Sequence, residues 1–181
     1  CERAGNSEKA LKLLDQMRQQ GRVWPNIISF SAAISACRKS GRGDKVLQLL
    51  EDMRRSNIKP DVICYSAAMS VYATAGDWEK SIQLLADLRQ DGLQPDVICM
   101  TTAMSAHANA GKWKEALEVF REIKDDVRLT PDVVCFSIAI TACEKGGQWE
   151  TALELLEEMK QQGVEPDVIA FSAVISACEK G

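Results

Sequence analysis

Two kinds of apolar stripe take turns along the chain. In one kind, apolar residues recur at helical spacing with small residues between them: Tyr65, Met69 and Tyr72 form the stripe, with Ala67 and Ala68 beside it. Similar small-faced segments surround Ala33 and Ala36, Ala103 and Ala106, and Ala139 and Ala142. In the other kind a tryptophan opens a heavier stripe, as in Trp78, Ile82, Leu84, Leu85 and Leu88. The same set returns as Trp113, Leu117, Val119, Phe120 and Ile123, and as Trp149, Leu153, Leu155, Leu156 and Met159. Both kinds predict amphipathic helices. No stretch shows the period-two alternation of a half-buried strand.

Punctuation between the stripes is regular. The prolines are Pro25, Pro60, Pro95, Pro131 and Pro166, spaced 35, 35, 36 and 35 residues apart. Each is followed by Asn or Asp, at Asn26, Asp61, Asp96, Asp132 and Asp167, and then by two β-branched residues. Counting from the residue after each Asn or Asp gives four complete units, 27–61, 62–96, 97–132 and 133–167. Partial units, 1–26 and 168–181, flank them in a single array. The first helix of a unit should run from about its second to its thirteenth residue, as in Ile28–Lys39 and Ile63–Thr74. Gly41, Gly76, Gly111 and Gly147 should end it in a left-handed turn. Gly21, Gly92, Gly163 or Asn57 should close the second helix before the proline forbids continuation. One helix pair cannot bury both of its faces, so stacking makes the array the stable object.

This repeat resembles the pentatricopeptide repeat family in its 35-residue form. The resemblance rests on Pro60-Asp61-Val62-Ile63-Cys64-Tyr65-Ser66, on Ala152-Leu153-Glu154-Leu155-Leu156-Glu157-Glu158-Met159-Lys160, and on Gly163-Val164-Glu165-Pro166-Asp167. It spans the chain, with single inserted residues before Pro25 (within Arg22-Val23-Trp24) and before Pro131. A tetratricopeptide pattern fits less well, because its period is 34 and its Trp-Leu-Gly-Tyr signature is missing. The resemblance implies an all-α solenoid wound as a right-handed superhelix, with first helices on the concave side.

It also implies single-stranded RNA as the partner, read at one base per repeat. In the family the fifth and last residues of a repeat read the base together, and the second residue flanks it. Here the fifth residues are Ser31, Ser66, Thr101, Ser137 and Ser172, the last residues are Asn26, Asp61, Asp96, Asp132 and Asp167, and the second residues are Ile28, Ile63, Ile98, Val134 and Ile169. An aspartate only accepts hydrogen bonds and so suits guanine or uracil, whose Watson–Crick edges offer a ring N–H. The family's preference of Ser or Thr for purines then points to guanine in all four complete units. Elementary chemistry keeps a plainer reading beside this one: a hydroxyl near a helix start and an Asp after proline both serve as ordinary caps. The family acts mostly in mitochondria and plastids, which sets the expected compartment. The competing function is a protein-binding helical-repeat scaffold with a groove for a peptide or helix.

Composition trims these readings. A net charge of -4 is unsuited to indiscriminate nucleic-acid binding. First helices carry few basic groups, namely Arg38, Lys39, Lys145 and Lys180, with Glu144 and Glu179 beside them. No apolar run approaches the ~20 residues that span a bilayer. Cys1, Cys37, Cys143 and Cys178 share one repeat phase, and Cys64, Cys99 and Cys135 share another. No CxxC pair occurs, and same-phase residues sit a repeat apart, so these read as small apolar packing groups in a reducing compartment. His107, the lone histidine, lies in phase with Cys37, Tyr72, Cys143 and Cys178 and reads as a packing residue. Glu118, Glu122, Glu154, Glu157 and Glu158 read as a solvated helix face. With no Walker loop, nucleophile elbow or zinc-deaminase signature, the expectation is no enzyme, no metal and no cofactor. The opening residues carry no signal or transit character, and helices cut within a repeat should associate end to end. Ala173, Ile175 and Cys178 at one end, with Leu11, Leu14 and Met17 at the other, are the faces expected to meet.

Overall fold

A computed structural model describes residues 2–20 and 24–180, with side chains from residue 6 to 19 and from 24 onward. Cys1, Gly21, Arg22, Val23 and Gly181 lie outside the described residues. Ten helices, and no strand, occur among the described residues: α1 (Glu2–Gln20), α2 (Ile27–Lys39), α3 (Gly43–Arg55), α4 (Val62–Ala75), α5 (Trp78–Gln90), α6 (Val97–Asn109), α7 (Trp113–Asp125), α8 (Val133–Lys145), α9 (Trp149–Gln161) and α10 (Val168–Lys180). They form an all-α helical-repeat solenoid.

The predicted stops act as expected. Gly76 ends α4 in the left-handed region, at φ 81°, where a β-carbon would crowd the preceding carbonyl. Gly41, Gly111 and Gly147 make the same turn after α2, α6 and α8. Asn57, at φ 57°, does the job after α3 that Gly92 and Gly163 do after α5 and α9. The residue inserted before Pro131 is absorbed by the connection: seven residues, 126–132, join α7 to α8, where six, 91–96, join α5 to α6. Helix phase is therefore undisturbed on either side.

Each first helix from α2 to α8 packs on its own second helix, on the second helix before it, and on the neighbouring first helices, and α10 packs on α8 and α9. The backbones of successive second helices do not approach one another as closely among the described residues. First helices are thus the more closely spaced layer, and a stack with unequal layers bends toward the tighter one. That puts α2, α4, α6, α8 and α10 on the inner side of the curve. Alanine permits the close spacing: Ala33, Ala68, Ala103, Ala139 and Ala173 are all buried.

The core runs through the stack as stacked stripes. Phe30, Tyr65, Met100 and Phe136 are buried at the fourth position of the first helices, and Ile34, Met69, Met104 and Ile140 at the eighth. Phe136 meets Phe120 of α7 edge to face, with ring centroids 5.1 Å apart. On α10, whose outer side no further helix covers, the same phases carry exposed Phe171, Ile175 and Cys178. This corrects two expectations. Cys178 is not a packing group, and the faces expected at the two ends are only partly open: Ala173 is buried by α8 and α9, and Leu14 by α2, while Leu11 and Met17 are half-buried.

The acidic second helices are linked as well as solvated. Arg18 pairs with Asp52 at 3.0 Å, Arg54 with Asp87 at 3.4 Å, Arg89 with Glu122 at 2.6 Å and Lys124 with Glu158 at 2.5 Å. Each rung joins one second helix to the next, across a layer where the backbones do not pack.

Candidate functional site

Proline just before each first helix holds the chain extended, and the Asn or Asp that follows takes up the cap position. At Asn26, Asp61, Asp96 and Asp132 the backbone is extended, and the side chain accepts from the amide three residues on. Asp61 Oδ1 accepts from Cys64 N at 2.8 Å, Asp96 Oδ1 from Cys99 N at 2.8 Å, Asp132 Oδ1 from Cys135 N at 2.9 Å and Asp167 Oδ1 from Ala170 N at 2.8 Å. Asn26 completes a capping box with Ser29. Capping by the last residue of each unit is therefore real, and in every aspartate it occupies Oδ1.

Capping by the fifth-residue hydroxyls is not. They lie one turn inside the helix, where backbone amides already have partners, so they donate backward to carbonyls instead. Ser31 donates to Ile27 O at 2.8 Å, Thr101 to Val97 O at 2.6 Å and Ser66 to Ile63 O at 3.0 Å. Ser137 differs: its hydroxyl reaches the Asp167 carboxylate at 3.0 Å. Ser31 stands 3.4 Å from Asp61 Oδ2. The fold thus brings Ser31 to Asp61 and Ser137 to Asp167 across 30 residues of chain, because the last residue of one unit caps the neighbouring first helix. No hydrogen bond joins Ser66 to Asp96, or Thr101 to Asp132, among the described residues. Ser172 is exposed on α10.

The second residues face outward beside these pairs. Ile28, Ile63, Ile98, Val134 and Ile169 are between 49% and 73% exposed, which is unusual for a regular row of aliphatic side chains. A cleft of about 370 Å³ is lined by Ile28 and Ile63 together with Ser31 and Asp61. A second, of about 170 Å³, lies between Val134 and Ile169, over Ser137 and Asp167. Aliphatic side chains beside a carboxylate and a hydroxyl suit a flat group with apolar faces and a hydrogen-bonding edge.

Sequence patterning had assigned the cysteines only to packing, yet two of them touch this site. Cys64 Sγ lies 3.3 Å from Ser31 Oγ, and Cys135 Sγ lies 3.2 Å from Thr101 Oγ1. The available signal was their spacing, three residues after Asp61 and Asp132. Burial pushes the Cys64 thiol up to about 11 and the Cys99 thiol up to about 12, so both stay protonated at neutral pH. Burial raises Cys135 as well. His107 is half-buried, its Nδ1 has no partner among the described residues, and burial lowers its pKa. Among the basic groups of the first helices, Lys145 is held by Ala108 O at 3.1 Å and Lys180 by Glu144 at 2.9 Å, while Arg38 and Lys39 are exposed. No cluster of His, Cys, Asp and Glu that could hold a metal occurs among the described residues, and no described helix is long and apolar enough to cross a membrane.

Comparison with known proteins places this architecture. The sequence profile described as the PPR repeat family matches residues 25–71 and 131–180, and that of the pentatricopeptide repeat domain matches residues 1–40 and 83–146. The chain belongs to the pentatricopeptide repeat family. A third profile of this family, the PPR repeat, matches residues 63–93. No curated protein matches the chain. Among solved structures, this pentatricopeptide repeat chain resembles PPR10 in complex with an 18-nt psaJ RNA element, at 26% identity and TM-score 0.74 over 98% of its length. It spans 26% of that PPR10 chain. The maize PPR10 crystal structure matches at 25% identity and TM-score 0.64, covering 94% of this chain and 24% of that one. Nuclear proteinaceous RNase P 2 from Arabidopsis thaliana shares the fold, with TM-score 0.81 at 13% identity, covering 98% of this chain and 39% of that one.

Proposed function

We propose that this chain binds single-stranded RNA along its first-helix face, one base at each junction between neighbouring units. The observation that carries this is the cleft between Ile28 and Ile63, where Asp61 spends Oδ1 on its cap and keeps Oδ2 beside Ser31. A base inserted there stacks on aliphatic side chains and meets a carboxylate oxygen free to accept. Family membership and the likeness to RNA-bound PPR10 support the same partner. Guanine is the proposed base at Ser31 with Asp61, Ser66 with Asp96, Thr101 with Asp132 and Ser137 with Asp167, since guanine offers a ring N–H to the acceptor-only aspartate. With Lys145 and Lys180 engaged by the protein itself, phosphate contacts are few, and affinity depends on the bases more than on charge.

The test is Asp96→Asn. Asparagine caps a helix about as well as aspartate, so folding changes little. Its amide can also donate, so preference at the base facing Ser66 should move from guanine toward adenine by roughly 1–2 kcal/mol, with the other three positions unchanged. Binding is compared at matched salt on monomeric oligonucleotides with a single varied base. An unchanged base preference would leave the aspartates as caps alone and refute the reading.

A further inference from the structure

Behind two of the reading pairs stands a group that determines what the fifth-residue hydroxyl can offer. A hydroxyl has one proton and two lone pairs. Ser31 gives its proton to Ile27 O at 2.8 Å, and Thr101 gives its own to Val97 O at 2.6 Å. With those protons on the shorter bonds, the contacts at 3.3 Å to Cys64 and at 3.2 Å to Cys135 are assigned to the thiols as donors. The Cys64 thiol has two other acceptors in reach, Met53 Sδ at 3.9 Å and the Asp61 carboxylate, and Cys135 has the Asp132 carboxylate. Each hydroxyl is left with one lone pair and no proton for a ligand.

The junction without a cysteine behaves otherwise. Where Ala170 replaces the thiol, the Ser137 hydroxyl has swung from the helix carbonyl to Asp167 at 3.0 Å. A base that engages Asp167 can release that hydroxyl, which is then free to donate. At Ser66 the hydroxyl turns to Ile63 O, and Cys99 makes no contact with it among the described residues.

We propose that Cys64 and Cys135 are positioning residues that hold the Ser31 and Thr101 hydroxyls as acceptors only, sharpening discrimination against bases that present an acceptor. This rests on the base-reading proposal above. The thiols are suited to the task because they are buried and remain protonated at neutral pH, so the donated hydrogen is always present.

The experiment measures the ratio of guanine to adenine affinity, on the full chain, at the nucleotide facing Thr101 and at the one facing Ser137. Cys135→Val keeps the bulk and loses the donor, and should lower the ratio at Thr101 roughly threefold, the size of one weak hydrogen bond. Cys135→Ser restores a donor and should restore the ratio, which a mere packing role would not do. Ala170→Cys should raise the ratio at Ser137 by a similar factor, and it carries the test alone if Cys135→Val fails to fold. Asp132→Asn is measured in parallel. If it shifts base preference while the cysteine and alanine variants leave the ratios unmoved, the base reading stands and the positioning role is overturned. If Asp132→Asn shifts nothing, the base reading itself has failed and this proposal goes with it.

Discussion

Ser137 on α8 donates its hydroxyl at 3.0 Å to Asp167, the residue just ahead of α10. The same Asp167 oxygen caps α10 through Ala170 N. Asp167→Ala removes both bonds and leaves a buried hydroxyl without its partner, so it should cost about 1–2 kcal/mol in denaturant unfolding. Asp167→Asn should cost less than half of that.

Phe136 is fully buried and stacks edge to face on Phe120. Phe136→Ala should destabilise by about 3–5 kcal/mol, since it opens a cavity at the junction of α7 and α8. Phe136→Leu should recover much of the loss. Thermal unfolding followed by circular dichroism distinguishes the two.

Two adjacent glycines should respond differently to alanine, for different reasons. Gly146 has an ordinary helical φ, but a β-carbon there would lie 2.5 Å from Trp113 Cγ. Gly147 has open space, but φ 65°. Gly146→Ala must push the indole aside and should cost about 1–3 kcal/mol, with a change in tryptophan fluorescence. Gly147→Ala should cost about 1 kcal/mol through backbone strain alone and leave the emission unchanged.

Acid stability should depend on Glu144. A hydrogen bond from Ser176, followed by one from Lys180, lowers its pKa below the ordinary 4.5 against the opposing effect of burial. A depressed folded-state value means that the unfolded chain takes up the proton first. The contribution is therefore complete above about pH 4.5 and lost as pH falls through the lowered value. Glu144→Gln should reduce stability at neutral pH and flatten the decline below pH 4.5, read from unfolding curves across that range.

The rungs between second helices are exposed enough to be screened, and each is worth under about 1 kcal/mol. Glu122→Gln, which removes the Arg89 rung, should lower the melting temperature slightly in dilute sodium chloride. In molar sodium chloride the difference between variant and parent should disappear.

The backbone was legible in the sequence because its signals are local. Proline spacing marks the helix starts, and the glycines after α2, α4, α6 and α8 mark stops that depend only on their own φ. Aspartate capping was legible for the same reason. The Ser31 and Thr101 hydroxyls were not, because a rotamer choice decides between an amide, a carbonyl and a carboxylate, and the neighbouring helix makes that choice. The ion-pair rungs were hidden in residues that look merely solvated. Arg54 and Arg89 do recur at the repeat period, as do Asp87 and Glu122, yet only the stacked helices show that each base meets the acid of the next unit.

The pairing of Ser31 on α2 with Asp61 at the head of α4 has an engineering consequence. The pair travels within one unit, 27–61, but the cleft beside it is completed by Ile63 of the next. Grafting that unit into another array would carry the pair intact and take the second aliphatic wall from whatever unit follows. The transplantable cassette therefore runs two residues past the aspartate, into the first turn of the next first helix, out of step with the proline punctuation that defines the units by eye.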